Sequence, residues 1–263
     1  MPESDSFQVE PAHAELLRDI GLDAKTTFTD PRIHVWRSLP DRENATLDHL
    51  QSDGTKVRLH IKRYPPSAGF MADQEMAGYR LLQQARIPAA PIIAHGHRAD
   101  GSSFIILEDL AGHTPADKLL EQGFPFEKLL SATADLAALL HHSNLHHRDL
   151  YLCHFMIKPA ANSAGADKVD AKLIDMARVT RLKSIFTRRR WIVKDLAQFW
   201  YSTLSLPVTD EQRIQWLTRY AQMREIPAEG LLRPIQRKAA AIARHDVELR
   251  KKQPGRNVSV APR

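Results

Sequence analysis

The chain of 263 residues has one cysteine, Cys153. A lone cysteine excludes an intrachain disulfide and a cysteine-based zinc site, and it fits a reducing compartment. No stretch approaches the roughly 18 apolar residues needed to cross a bilayer. The opening Met1-Pro2-Glu3-Ser4-Asp5 lacks the basic start and apolar run of a secretory signal. A cytoplasmic protein is therefore expected, free or peripheral at the inner face of the membrane. Internal repeats are absent. So is any glycine between Ser38 and Ala45, although the chain has 11 glycines elsewhere. What is present is ordinary for a globular protein. Hydrophobic residues make up 43% and charged residues 26%, which excludes a wholly disordered chain, a collagen and a coiled coil. The length predicts one or two domains. Lys plus Arg is 37 against 31 for Asp plus Glu, a net charge of +6. Such a balance invites a nucleic-acid reading until the charge is located along the chain.

The hydropathy pattern divides the chain in two. The first 30 residues are polar, with one short helix expected at Ala12–Ile20 and closed by Gly21. Strands are predicted at Ile33–Trp36, Thr46–Leu50 and Val57–Lys62. The last alternates strictly, with Val57, Leu59 and Ile61 on one face and Arg58, His60 and Lys62 on the other. A helix at Asp73–Ala85 follows, with Met76, Tyr79, Leu81 and Leu82 on its apolar side, then apolar runs at Ile92–Ile93 and Phe104–Leu107. Beyond the connector Glu108–Gly112 the chain turns helical. Helices are predicted at Phe126–His142, Trp191–Leu204, Asp210–Ala221 and Leu231–Leu249. Two short strands, Phe155–Ile157 and Lys172–Ile174, are expected as a hairpin joined by Ala160–Asp170. The tail from Arg250 to Arg263 is basic and expected to fray. The expected domains are an extension over 1–30, a β-rich lobe over 31–109, a helical lobe over 110–249 and the tail over 250–263. Two lobes joined by one connector form a cleft of the kind that binds ligands.

Phosphoryl transfer from ATP needs a cation on the phosphates, a support for that cation, a carboxylate beside the acceptor hydroxyl, and metal ligands. Candidates for each stand in kinase order. Lys62 lies on the third expected strand, and Glu75 lies thirteen residues later on the following helix. His147-Arg148-Asp149 follows the long helix, and Asp175 ends the Lys172–Ile174 strand. Taken singly, a strand lysine or a helix glutamate is an ordinary solvated charge. The order of the whole set is what points to the chemistry.

These residues carry a resemblance to the protein-kinase-like fold and, more narrowly, to the bacterial lipopolysaccharide kinases of the heptose-kinase and Kdo-kinase type. The specific stretch is His147-Arg148-Asp149-Leu150-Tyr151-Leu152-Cys153-His154-Phe155. Arg37–Thr46, Ile61–Tyr64, Leu173–Asp175, Arg189–Trp191 and Lys194–Leu196 support it, so the resemblance covers about residues 30 to 205. It implies an α+β, bilobal fold with an antiparallel sheet in the first lobe. It implies that Lys62 binds ATP phosphates, with Glu108 and Arg42 also on the nucleotide, and that Glu75 holds Lys62. Asp149 would orient the acceptor and take its proton. Asp175 would bind Mg²⁺, and His154, five residues after Asp149, would bind metal or phosphate. His147, Arg148 and Asp195 would support the catalytic loop.

The chain departs from protein kinases in several places. The glycine-rich phosphate loop is missing, and Arg37 or Arg42 stands where it would cover the phosphates. Asp-Met-Ala replaces Asp-Phe-Gly at Asp175. His60 occupies a position that normally holds a small residue against adenine. Only 19 residues separate Asp175 from Asp195, too few for a peptide platform, which favours a sugar hydroxyl as acceptor. An atypical protein kinase and a catalytically inactive nucleotide- or lipid-binding module remain the alternatives. The charge is local: Met176–Lys194 holds seven basic residues and no acid, and the tail holds five more. The basic balance therefore reads as a site for an anionic glycolipid such as the lipopolysaccharide core, with Arg188, Arg189 and Arg190 on the acceptor, and as a membrane-facing surface. It does not read as a nucleic-acid signal. His141 and His142 end a helix, where histidine suits the dipole. His146 is expected to face solvent, Cys153 to pack as a small hydrophobe, and Trp191 to lie in the helix core.

Overall fold

Strict alternation along Lys56–Tyr64 buries Leu59 and Ile61 on one face and leaves Lys62 on the other. The computed structural model, which describes residues 4–159 and 169–252, places this strand inside a six-stranded antiparallel sheet. The strands are β1 (Ser6–Val9), β2 (His34–Leu39), β3 (Arg42–Leu50), β4 (Lys56–Tyr64), β5 (Ile92–His97) and β6 (Ser103–Glu108), in the order β1-β5-β6-β4-β3-β2. Lys62 thus lies on the fourth strand in the chain, opposite Asn44 of β3 and Ile105 of β6. The stretch Ser38–Ala45 is not a loop. Leu39 pairs with Arg42, Ser38 with Glu43 and Arg37 with Asn44, so only Pro40–Asp41 turns. The segment is thus a tight hairpin, with a register shift between Val35 and Arg37.

The first 30 residues do more than form one helix. Their strand β1 pairs with β5, and a Cβ on Gly96 would stand 2.0 Å from the Ser6 carbonyl, so the close approach requires glycine there. A 3₁₀ turn at Pro11–His13 delays helix α1 to Ala14–Ile20. Gly21 (φ 80°) closes it in the left-handed conformation that glycine adopts without strain. Leu17, Ile20, Leu22 and Ala24 join Leu47, Leu59, Ile61, Phe104 and Ile106 in one core. Each large apolar side chain buried this way contributes about 1.5–3 kcal/mol. After a short helix α2 (Thr26–Thr29), helix α3 runs Phe70–Gln84 and buries Met76, Tyr79 and Leu82, with Leu81 half-buried.

The chain divides into two compact units, Met1–Arg80 with Ala90–Ala111 and Leu81–Ala89 with Gly112–Arg263. Leu81–Ala89 groups with the second unit, where Leu173 N–H donates to the Pro88 carbonyl at 2.9 Å. That unit contains β7 (Thr114–Pro115), α4 (Ala116–Glu121), α5 (Phe126–His142), β8 (Leu145–His146), β9 (Phe155–Lys158), β10 (Asp170–Leu173), β11 (Thr180–Arg181), α6 (Ile185–Thr203), α7 (Asp210–Met223) and α8 (Glu229–Lys252). β9 and β10 pair antiparallel, while most of the connection expected between them lies outside the described residues. Phe155, Phe199, Trp216 and Tyr220 form a buried aromatic column, with Phe199 and Trp216 stacked at 3.9 Å.

Helix α6 starts at Ile185, before the expected Trp191, because the Ser184 side chain caps it by accepting from Phe186 N–H. Helix α8 includes Pro234 near its start and continues through Arg250, Lys251 and Lys252. Those three residues therefore end a helix, where cations suit the dipole, and do not belong to a frayed tail. The rest of the expected tail lies outside the described residues. No helix among the described residues is long and apolar enough to cross a membrane.

Candidate active site

In the first unit, strand β4 presents Lys62 and Tyr64, and helix α3 presents Glu75. Lys62 Nζ donates to Glu75 Oε1 at 2.5 Å, and the Tyr64 hydroxyl donates to Oε2 at 2.8 Å. Glu75 is fully buried, so both carboxylate oxygens take their partners away from bulk water. A buried carboxylate with two donors holds its cation far more firmly than a surface pair does. His60 sits one strand repeat before Lys62 on the same face, and its Nε2 lies 2.8 Å from Asp109 Oδ1. Glu108 is exposed at the end of β6, and its backbone N–H donates to the Pro91 carbonyl. Arg42 opens β3 and pairs with Asp41 at 3.5 Å.

In the second unit, one face of α6 holds the loop His147–Leu152 by its main chain. Asp195, Gln198 and Ser202 stand at helical spacing i, i+3, i+7. Asp195 accepts from the backbone N–H groups of His147 (2.7 Å) and Arg148 (2.9 Å). Gln198 accepts from Leu150 N–H at 3.1 Å and donates to the Arg148 carbonyl at 2.8 Å. Ser202 accepts from Leu152 N–H at 2.9 Å. His141, buried at the end of α5, completes the group: its Nε2 donates to Asp195 at 3.3 Å and its Nδ1 accepts from the Tyr220 hydroxyl at 2.8 Å. Burial opposes the Asp195 charge, but the His141 hydrogen bond, the neighbouring histidines and the His147 N–H outweigh it, and its pKa is lowered.

The loop needs this support because its backbone is strained. Its Arg148 (φ 68°) is a non-glycine residue in the left-handed region, as is Asp175 (φ 61°) in the segment after β10. Such residues persist where surrounding bonds over-determine them, and they gather at functional sites. His147 is buried, and burial and the charge of His154 lower its pKa. Its Nε2–H donates to the Ile174 carbonyl at 3.0 Å, which ties the loop to the residue before Asp175. His146 is buried, contrary to expectation, because Thr180 partners its Nε2 at 2.8 Å and Trp191 packs on its ring at 4.9 Å. Trp191 also carries the Arg148 guanidinium over its face at 5.0 Å, so it supports the loop as well as the helix.

At the centre of this unit the Asp149 carboxylate receives Arg178 Nη1 on both oxygens, at 3.0 and 2.9 Å. His154 Nδ1–H donates to the Asp149 carbonyl at 2.6 Å, and its Nε2 faces Asp175 Oδ2 at 3.7 Å. Burial opposes a charge on His154, but its neighbours Cys153 and Asp175 and the Asp149 carbonyl outweigh it and raise its pKa to about 10. Among the described residues no three of His, Cys, Asp and Glu converge on one point. That still fits Mg²⁺, which is commonly held by one or two carboxylates while phosphates and water fill the remaining positions. Asp175, about one-third exposed, is a carboxylate of that kind.

Arg188 donates to Asn144 Oδ1 and Arg189 to the Gly230 carbonyl, both on the outer first turns of α6, and Arg190 is exposed beside Trp191. Sequence reasoning missed Gln198, Ser202, Tyr64, His141 and Arg178. The spacing Asp195, Gln198, Ser202 was a readable signal: three polar residues on one side of a helix otherwise rich in apolar residues. Arg178 had no such signal, because its partner Asp149 is 29 residues away.

The lipopolysaccharide kinase (Kdo/WaaP) family profile matches residues 36–220. The lipopolysaccharide core heptose(I) kinase WaaP of Pseudomonas aeruginosa is 30% identical over 191 residues, covering 64% of this chain and 67% of that protein. Its Escherichia coli namesake is 26% identical over 191 residues, covering 65% and 69%. A solved structure described as WaaP in complex with acyl carrier protein superposes with a TM-score of 0.67 at 26% identity, covering 90% of this chain and 98% of that one.

Proposed function

The chain belongs to the lipopolysaccharide kinase (Kdo/WaaP) family, and on that premise we propose that it phosphorylates a heptose or Kdo hydroxyl of the lipopolysaccharide inner core, using ATP and Mg²⁺. The bilobal, protein-kinase-like fold agrees with this assignment. The carrying observation is the pair of pinned charges: Lys62 on its buried Glu75, and Asp149 on a loop whose N–H groups are bonded by Asp195, Gln198 and Ser202.

In this reading Lys62 holds the nucleotide phosphates, with Arg42 and Glu108 also on the nucleotide side, and Glu75 and Tyr64 keep the ammonium in place. Asp149 accepts a hydrogen bond from the acceptor hydroxyl and takes its proton as the oxygen bonds to the terminal phosphorus. The bond from that phosphorus to the bridging oxygen breaks, and ADP leaves. Mg²⁺, when bound, neutralises phosphate charge, and Asp175 is the residue that holds it. His154, a cation beside Asp175, serves a phosphate better than it serves a hard metal ion. His147, Arg148 and Asp195 fix the loop, and Arg188, Arg189 and Arg190 bind anionic groups of the acceptor. The acceptor is linked to lipid, which brings the protein to a membrane surface.

Incubation with ATP, Mg²⁺ and defined core oligosaccharides, read by mass spectrometry, tests the reading. The expected result is addition of one phosphoryl group to a heptose or Kdo, lost in Asp149→Ala and Asp175→Ala with the fold intact. Unchanged turnover in both variants overturns it. Label on protein with none on sugar favours the protein-kinase alternative.

A further inference from the structure

The first turn of α6 breaks two local rules at once. Ile185 and Phe186 are 76% and 89% exposed, more than any other large apolar side chain among the described residues. Next to them Arg188, Arg189 and Arg190 occupy the start of a helix that has no acidic residue in its first turn. Cations at a helix N-terminus oppose the dipole, so this placement costs stability and calls for a partner that repays it. The apolar pair and the arginines are also interleaved. Ile185 and Arg189 are i, i+4 neighbours, as are Phe186 and Arg190. Ile185 continues the buried stripe of Ile192 and Leu196 beyond the point where the rest of the fold covers it. Arg181 and Lys183, both exposed, extend the basic field on the approach to the helix, and from Met176 to Lys194 no acidic residue interrupts it.

Exposed apolar side chains set among cations match the interfacial zone of an anionic bilayer: acyl chains accept the apolar groups, and headgroup phosphates accept the guanidinium groups. An acidic protein surface satisfies the charges but leaves two large side chains in need of a matching groove. We propose that Ile185 and Phe186 insert into the interface of an anionic membrane, and that the surrounding arginines and lysine hold the second unit there. The inference rests on the glycolipid-acceptor reading for its choice of occupant, and it places the docking element on the same basic segment that follows Asp175.

The test is co-sedimentation of the full chain with vesicles of phosphatidylcholine alone or mixed with phosphatidylglycerol. Wild type is expected to bind the anionic vesicles and not the neutral ones, with binding that weakens as salt rises. Each cation near the surface is worth about fivefold in partition. Ile185→Ser/Phe186→Ser is expected to keep the same melting curve and to lose at least about tenfold in partition. It is also expected to phosphorylate a water-soluble core oligosaccharide like wild type. In Phe186→Trp, indole fluorescence is expected to be quenched by brominated lipid. Equal partition of wild type and the double variant overturns the proposal, as does an unquenched indole in vesicle-bound protein. A wild-type dimer that the double variant dissolves also overturns it, by assigning the patch to a second copy. Binding of acyl carrier protein, lost in the double variant and unaccompanied by vesicle binding, does the same. If no sugar is phosphorylated by either protein, the kinase reading fails, while the partition measurement still decides the docking.

Discussion

In the first unit a buried carboxylate, Glu75, holds one ammonium group. In the second a buried carboxylate, Asp195, holds no cation of a long side chain but two backbone N–H groups and a histidine. The difference follows from what each unit has to place. Lys62 already sits on a regular strand, so only its flexible end needs fixing, and one ion pair with a tyrosine behind it suffices. Asp149 sits on a loop with a left-handed residue just before it, so the main chain itself must be held. Four N–H groups, those of His147, Arg148, Leu150 and Leu152, are taken by a single helix face. A side-chain anchor should therefore fail locally, and a main-chain anchor globally.

Breaking the main-chain anchor gives the largest effect. Asp195→Ala strips partners from two backbone donors and from buried His141, at a cost of about 3–5 kcal/mol. Thermal unfolding should fall by roughly 10 °C. If melting is unchanged, Asp195 does not hold the loop. Breaking the side-chain anchor acts on rate first. Lys62→Met should lower turnover at least about 100-fold, while costing stability through the unpaired Glu75. Lys62→Met/Glu75→Gln should recover that stability and none of the turnover. A double variant that is no more stable than Lys62→Met would show that Glu75 does not depend on its cation.

Acid separates the second unit further. Burial lowers the pKa of His146 to about 4, so between pH about 6.5 and 4 the unfolded chain takes up a proton that the folded chain does not. Stability therefore falls as the pH drops through that window, by up to about 3 kcal/mol at this one residue. His146→Gln should flatten this part of the curve in urea titrations at several pH values. The smallest effect belongs to an exposed contact. Arg178, about half exposed, bonds both oxygens of Asp149. Arg178→Gln should reduce turnover about tenfold by removing a charge-assisted bond, with no change in melting. An equal loss of stability would place Arg178 with the structural anchors instead.

Much of this was legible along the chain. Strict alternation placed Lys62 on the polar face of its strand, and helical periodicity found α3, α5 and α7. The order of Lys62, Glu75, His147-Arg148-Asp149 and Asp175 by itself points to phosphoryl transfer. Other features were hidden for identifiable reasons. The strand at Ser6–Val9 is only four residues long, and its pairing with β5 reaches across 85 or more residues. His146 looked solvated because its burial comes from Thr180 and Trp191, which are distant in sequence. The early start of α6 depended on a serine cap that periodicity does not register.

The sequence by itself determined the class of chemistry, because residue types in a fixed order suffice to name a reaction. It also determined that the +6 charge is concentrated in two segments and is not spread over the surface. Only the tertiary structure decided what holds each charge still. Hydrogen bonds are short-ranged and directional, so that Gln198 and Ser202 support the loop, that Arg178 meets Asp149, and that Ile185 and Phe186 are left uncovered beside three arginines depends on which distant residues the fold brings within about 3 Å.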